Sequence, residues 1–353
     1  MLQVETDNLG RLNSWSAQRQ ELNCLTGDSG AGGIVLRRWI NFDHLVARFV
    51  ACLLTVACAG QLGLLASTSV SAGELQYRTV ASSALNRDMP FIVYVPDGYQ
   101  GGDLQYPVLY LLHGAGGDEN SWVEHGGIRE RADRLISSGA IPPTLIVMPG
   151  CRQCWWIDGN KDKAETAFWH DLVPGVAAEF RTIESKAGRL VAGLSAGGYG
   201  TVRFAMKYPE RIAAIAALSP AVYSVTPPAN SSARVQPQSP FVGLDGQFDQ
   251  TAWAAQNYPS LADRYFSQRS RVPFYLMSGD RDGYGLAFET ALIFNTLFDK
   301  QPELAKLRII DGDHTWPVWA NALDDAMTYI YRHAAKPERR LADIARLDQR
   351  RQR

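Results

Sequence analysis

The chain has 353 residues, of which 46% are apolar and 20% charged. That is enough apolar material for a full core in one large domain or two small ones, and too regular a balance for disorder. The formal net charge of −1 removes any global electrostatic reason to expect nucleic acid or an acidic polymer as a partner. Residues 1–36 are polar and mixed, an N-terminal extension that could lie upstream of the true start. Residues 37–72 carry Arg37, Arg38 and Arg48, then an uncharged run from Phe49 ending in Val70-Ser71-Ala72. A basic lead, an apolar stretch and small terminal residues fit an export signal cleaved after Ala72. A retained membrane anchor and lipid attachment at Cys58 are the alternatives. All three place the rest of the chain outside the cytoplasm, periplasmic or secreted, with the membrane touched only through such an anchor.

Beyond Ala72 the pattern becomes regular. Leu75–Ser82 and Phe91–Val95 read as an antiparallel strand pair, closed by Pro96-Asp97-Gly98. Val108–Leu112 and Leu145–Met148 are apolar runs of the kind that form strands buried on both faces. Residues 128–137 read as a helix. Residues 166–181 read as another, with Phe168, Leu172, Val176 and Phe180 on one face. Further strands are expected at 190–192, 212–218, 273–277 and 307–310, and helices at 197–208, 286–299 and 317–333. Strands alternating with helices argue a mostly parallel sheet covered on both faces, in one catalytic domain over 73–335. Residues 223–245, rich in Pro, Ser and Gly, break the rhythm and are expected as an insertion over the active-site rim or a plain surface excursion. The basic tail, 336–353, is expected to be solvated or a frayed helix.

Five cysteines occur, and three of them, Cys24, Cys52 and Cys58, precede residue 73. Cys151 and Cys154 follow a strand and precede Trp155-Trp156, with no helix start of the thioredoxin kind. A small local disulfide or two free thiols is the plain reading.

Gly193-Leu194-Ser195-Ala196-Gly197 matches G-x-S-x-G between an expected strand and an expected helix. A serine at such a turn is held in a strained conformation that pushes its hydroxyl outward, and small residues two positions to either side give the backbone room. The hydroxyl needs a base. Of the six histidines, His314 alone lies after the serine and on a loop between a strand and a helix, in Asp311-Gly312-Asp313-His314. The acid is expected in Ser278-Gly279-Asp280-Arg281-Asp282, with Asp282 preferred over Asp280 because it has more room to turn back toward the histidine. A metal site built from Asp280, Asp282, Asp311 and His314 is the rival, and it leaves Ser195 without a role. Oxyanion donors are expected from the N–H groups of Ala196 and Ala115, the latter in His113-Gly114-Ala115-Gly116-Gly117. Gly114 is expected to contact substrate, with Trp156 and Trp316, which stand near strand ends along with Trp155. His113 is read as a packing or hydrogen-bonding residue.

The run Tyr110-Leu111-Leu112-His113-Gly114-Ala115-Gly116-Gly117-Asp118-Glu119-Asn120-Ser121-Trp122 resembles the putative-esterase family. That family includes esterase D, bacterial feruloyl esterases and the antigen 85 mycolyltransferases. Gly193–Gly198, Gly279–Asp282 and Asp311–Trp316 are similar to its triad regions in the right order. Val93–Tyr99 is similar to its N-terminal strand, and Phe248-Asp249 with Trp253 to a segment before its acid strand. The resemblance spans about residues 75–333. It implies an α/β-hydrolase fold and a Ser-His-Asp acyl-transfer enzyme that uses no cofactor, acting on a small-molecule or polymer-linked ester. It leaves open transfer to a sugar or lipid alcohol instead of water, and a non-catalytic binding module on the same fold.

Overall fold

The computed structural model describes residues 72–152 and 154–339. The expected extension at 1–36, the export segment except Ala72, and the tail from residue 340 lie outside the described residues. The strands are β1 (Glu74–Ser82), β2 (Arg87–Val95), β3 (Leu104–Gln105), β4 (Val108–Leu112), β5 (Leu145–Pro149), β6 (Arg189–Leu194), β7 (Ala214–Leu218), β8 (Phe274–Gly279), β9 (Ala305–Ile310) and β10 (Glu338–Arg339). Eight of them form one sheet in the order β1-β2-β5-β4-β6-β7-β8-β9. β1 and β2 are antiparallel to their neighbours, and the other six are parallel.

β4 shows why the sheet lies in the middle of the fold. All five of its residues are buried. Tyr110 and Leu112 belong to the core on one face, Leu109 and Leu111 to the core on the other. A side-chain period of two puts neighbours on opposite faces, so a strand covered twice must be apolar throughout. Helices α1 (Ile128–Ser137) and α5 (Trp316–Tyr331) cover one face through Ile128, Leu135, Leu323 and Ile330. Helices α2 (Val173–Glu179), α3 (Ala196–Lys207) and α4 (Leu286–Lys300) cover the other through Val176, Val202, Phe204 and Ile293. This is the α/β-hydrolase arrangement expected from the alternation of elements. The register pairs Leu112 with Gly193, Leu194 with Leu218 and Gly279 with Ile310. The C-terminal ends of these strands therefore finish level, and the loops after them open onto one rim.

Two segments differ from expectation. The helix read over 166–181 is composite: a short turn at Ala164–Thr166, a π segment at Ala167–Leu172, and then α2. Pro174 has no N–H to give the preceding turn, and the N–H of Val173 reaches back to Phe168 instead. The start of the tail is not helical. Glu338 and Arg339 pair with Gln105 and Leu104, aided by an Arg339–Asp103 ion pair at 3.3 Å. The insertion at 223–245 holds one short helix, Ser232–Val235, capped by the Ser231 hydroxyl, which accepts the N–H of Ala233. It is pinned at its start: Trp253 donates its Nε1–H to the carbonyl of Val225 at 3.1 Å, and Asn257 donates to that of Tyr223. Among the described residues no helix is long and apolar enough to cross a membrane.

Candidate active site

Ser195 occupies the turn from β6 into α3 with φ 52° and ψ −117°. A non-glycine residue with positive φ is costly, and such strain persists only where the surroundings impose it. Here the Ser195 N–H donates to Leu218 at 2.9 Å, and its carbonyl accepts from Ala221 at 3.0 Å. The flanking glycines are required by contact. A Cβ on Gly193 would stand 2.6 Å from the carbonyl of Gly197, and one on Gly197 would stand 2.5 Å from the carbonyls of Leu112 and His113. The tight crossing of β6, α3 and the loop after β4 fixes the direction of the serine side chain.

The loops after β8 and β9 bring the other two groups. His314 Nε2 lies 3.0 Å from Ser195 Oγ, and His314 Nδ1 lies 2.7 Å from Asp282 Oδ2. The second Asp282 oxygen accepts the N–H of Tyr284 at 3.0 Å, so the buried carboxylate is held at both ends. The imidazole stands between Tyr284 and Trp319, whose rings meet it edge-on at 5.0 and 4.8 Å. Trp319 is fixed in turn by donating to Ser219 Oγ at 3.1 Å. Asp280, the alternative acid, makes no hydrogen bond to His314 and accepts the N–H of Gly312 at 3.0 Å. The rival metal set does not converge: Asp282 is engaged by His314, Asp280 by Gly312, and Asp311 by Arg281 at 2.7 Å.

The loop after β4 passes over the serine on the other side. Neither the Ala115 nor the Ala196 N–H meets an acceptor among the described residues, and Ala196 opens α3, where the helix dipole favours negative charge. His113 lies beneath this loop, fully buried. Burial pushes its pKa down to about 4, against the opposing pulls of the Gly114 carbonyl and Asp118. The neutral ring carries its proton on Nδ1, donating to the Gly114 carbonyl at 2.7 Å, while Nε2 accepts the N–H of Cys151 at 3.1 Å. Cys151 and Cys154 are joined in a disulfide.

The family model described as "Putative esterase" matches residues 82–330. The chain belongs to this family. An esterase of Mycobacterium tuberculosis is 34% identical over 141 residues, 38% of this chain and 29% of that one. An endo-1,4-beta-xylanase/feruloyl esterase of Xylanibacter ruminicola is 32% identical over 150 residues, 40% of this chain and 21% of that one. The chain thus spans less than a third of the length of these curated relatives. A solved ferulic acid esterase superposes with a TM-score of 0.62 at 23% identity, covering 74% of this chain and 98% of that one.

In this member of the esterase family, Ser195 and His314 border a cavity of about 360 Å³. Gly114, Ala115 and Trp316 line it as expected from the sequence. Trp156 does not. It is fully buried behind the loop after β4, where its Nε1–H donates to the carbonyl of His113 at 3.1 Å. A positive φ of 58° turns its side chain inward, so its place near a strand end says nothing of substrate contact. Trp155 is also buried, in a cluster with Tyr199, Phe241 and Trp253. The sequence reading missed much of the cavity wall. Ser121 and His125 come from the segment after the loop of β4, and Tyr284 follows the acid. Tyr223, Ser231, Ser232 and Gln236 come from the insertion, which forms one side of the cavity. Trp319 could have been found: it lies one turn after Trp316 on α5, on the side that faces the histidine loop. The break in rhythm points to the insertion as a rim element, but no local signal picks out which of its residues face the cavity.

Proposed function

We propose that the chain is a serine carboxylic-ester hydrolase, working outside the cytoplasm through an acyl-enzyme intermediate. The observation that carries this reading is the hydrogen-bonded line from Asp282 through His314 to Ser195 at the edge of a cavity that Ala115 also lines, with the Ala115 and Ala196 N–H groups meeting no backbone acceptor among the described residues. Ester substrate enters the cavity with its carbonyl oxygen toward the N–H groups of Ala115 and Ala196. Ser195 Oγ attacks the carbonyl carbon as its proton passes to His314 Nε2. Asp282 keeps the imidazole oriented and stabilises its cationic form. The two N–H groups hold the developing oxyanion. The C–O bond to the alcohol breaks, His314 returns the proton to the departing oxygen, and an acyl-Ser195 ester remains. Water, activated by the same imidazole, releases the acid. The disulfide supports an oxidising compartment, where such bonds persist.

A panel of short aryl, feruloyl and glyceride esters identifies a substrate, and Ser195→Ala then lowers turnover on it by about 10⁴-fold or more. Near-full activity in that variant overturns the reading. An added sugar or lipid alcohol leaves the free acid as the main product; a new ester in its place would make the alcohol, not water, the acceptor.

A further inference from the structure

We infer that the disulfide-closed loop at Cys151–Cys154, with Trp156 behind it, is a positioning element for the oxyanion donor at Ala115. The inference rests on the reading of Ser195 as nucleophile. His113 is the only residue between β4 and Gly114, so its orientation sets where the next two peptide groups lie. The loop after β5 grips it at two atoms. The Cys151 N–H donates to the ring at Nε2, 3.1 Å away, and Trp156 Nε1–H donates to the main-chain carbonyl, also at 3.1 Å. The ring then reaches forward to the Gly114 carbonyl at 2.7 Å. The rings of His113 and Trp156 lie 5.0 Å apart.

This gripping loop is awkwardly shaped. Arg152 and Trp156 both have positive φ, 61° and 58°, without being glycine. Such a path needs to be held. The cross-link holds one end of it. The other end is seated on the nucleophile helix, where a Cβ on Gly200 would come within 2.5 Å of the Trp156 Cβ. Cys151, Cys154 and Trp156 do not line the substrate cavity. Their influence therefore runs through His113 to the peptide groups of Gly114 and Ala115, and affects the transition state rather than substrate binding.

The disulfide can be opened for a test. Both cysteines border a second cavity of about 410 Å³, lined also by Arg87, Arg152 and Lys161 against the single carboxylate of Asp162. A small thiolate is drawn to such a surface. Dithiothreitol supplies two electrons and two protons, the S–S bond becomes two thiols, and the reductant becomes its cyclic disulfide.

The experiment compares the full-length oxidised protein, the same protein reduced with dithiothreitol, and Cys151→Ser/Cys154→Ser. Free thiols are counted, active sites are titrated with a fluorophosphonate, and kcat per titrated site and KM are measured well below the melting temperature. The expected result is a fall in kcat per site of about tenfold to a hundredfold on reduction, with KM within about twofold, since misplacement of oxyanion donors costs turnover of this order. Reoxidation restores the wild type, and the double variant does not respond to reductant. Complete reduction that leaves kcat per site unchanged overturns the inference. So does a loss that shows only as fewer titratable sites, because that is the mark of a merely structural bond. An oxidised wild type that neither cleaves any ester nor takes the probe at Ser195 would instead bring down the functional reading on which the inference rests.

Discussion

On the acid side of Ser195 the loops after β8 and β9 are clipped at the surface by charge: Arg281 reaches Asp311 at 2.7 Å and Asp313 at 3.8 Å, and all three side chains are exposed. On the oxyanion side the loop after β4 is held from below by uncharged groups that water does not reach, the ring and carbonyl of His113 with the N–H groups of Cys151 and Trp156. The difference lies in what replaces a lost contact. Water and salt substitute for an exposed ion pair, so its net worth is small. A buried donor or acceptor left alone pays its full desolvation cost. The acid side can bear the loss of its ion pairs because main-chain bonds lie beneath them, with Asp280 N–H donating to Ile310 at 2.8 Å and Arg281 N–H to Gly312 at 3.0 Å. The oxyanion loop has a main-chain bond of its own, Gly117 N–H to the Gly114 carbonyl at 3.1 Å, but that bond is internal to the loop and does not replace the buried ones that His113 makes to the loop after β5.

The sharpest way to break this contrast is His113→Ala. It leaves a cavity and an unpaired Cys151 N–H, and should cost about 4 kcal/mol in denaturant unfolding. A loss no larger than that of a surface substitution would show that the oxyanion side is not brittle.

Acid tests the same residue without deleting it. The folded pKa of His113 is lowered from 6.5 to about 4. Between those values the unfolded chain binds a proton that the folded chain refuses, so stability is fully present above about pH 6.5 and is lost as pH falls toward 4. The loss attributable to this ring is on the order of 3 kcal/mol. Urea titrations at pH 7 and pH 4.5 should show His113→Gln losing less between the two than the wild type does. Equal losses would remove the ring from the account.

Trp156→Phe removes the N–H given to the His113 carbonyl and leaves a void where the larger indole stood. The expected cost is about 2.5 kcal/mol by thermal or urea unfolding. The smallest effect belongs to the other side: Arg281→Ala should leave kcat/KM within about twofold at low and at high salt. A strongly salt-dependent loss there would mean that the ion pairs, not the main-chain bonds, hold the histidine loop.

The two sides also differ in how well the sequence discloses them. Ser195, Asp282 and His314 each stand within a few residues of a strand end, and strand ends are marked by apolar runs that stop at Gly or Asp. Their approach in space follows from a parallel sheet, which gathers strand ends at one rim. Asp280 and Asp282 could be ranked because a third residue past Gly279 has room to turn back. Trp156 stands equally near a strand end, yet one left-handed residue sends it into the core, and a lone backbone angle leaves no trace in the residue type. Ser231, Ser232 and Gln236 reach the cavity because bonds from Trp253 and Asn257, more than 25 positions away, pin the start of the insertion. Period and composition do not encode contacts of that range. The π segment at Ala167–Leu172 stayed hidden because Phe168, Leu172 and Val176 fit an ordinary helical stripe equally well.

The path of β1 has a practical consequence. Glu74 pairs with Val95, and β2 runs opposite to β5, whose far end, Pro149, faces Phe91. The polypeptide therefore enters the sheet at the end of the strands opposite the mouth of the cavity that Ser195 and His314 border. In a variant shortened to begin at Gly73, a tag, bead or surface joined there would leave that mouth facing outward, so immobilisation by that end should cost little access for bulky or insoluble esters.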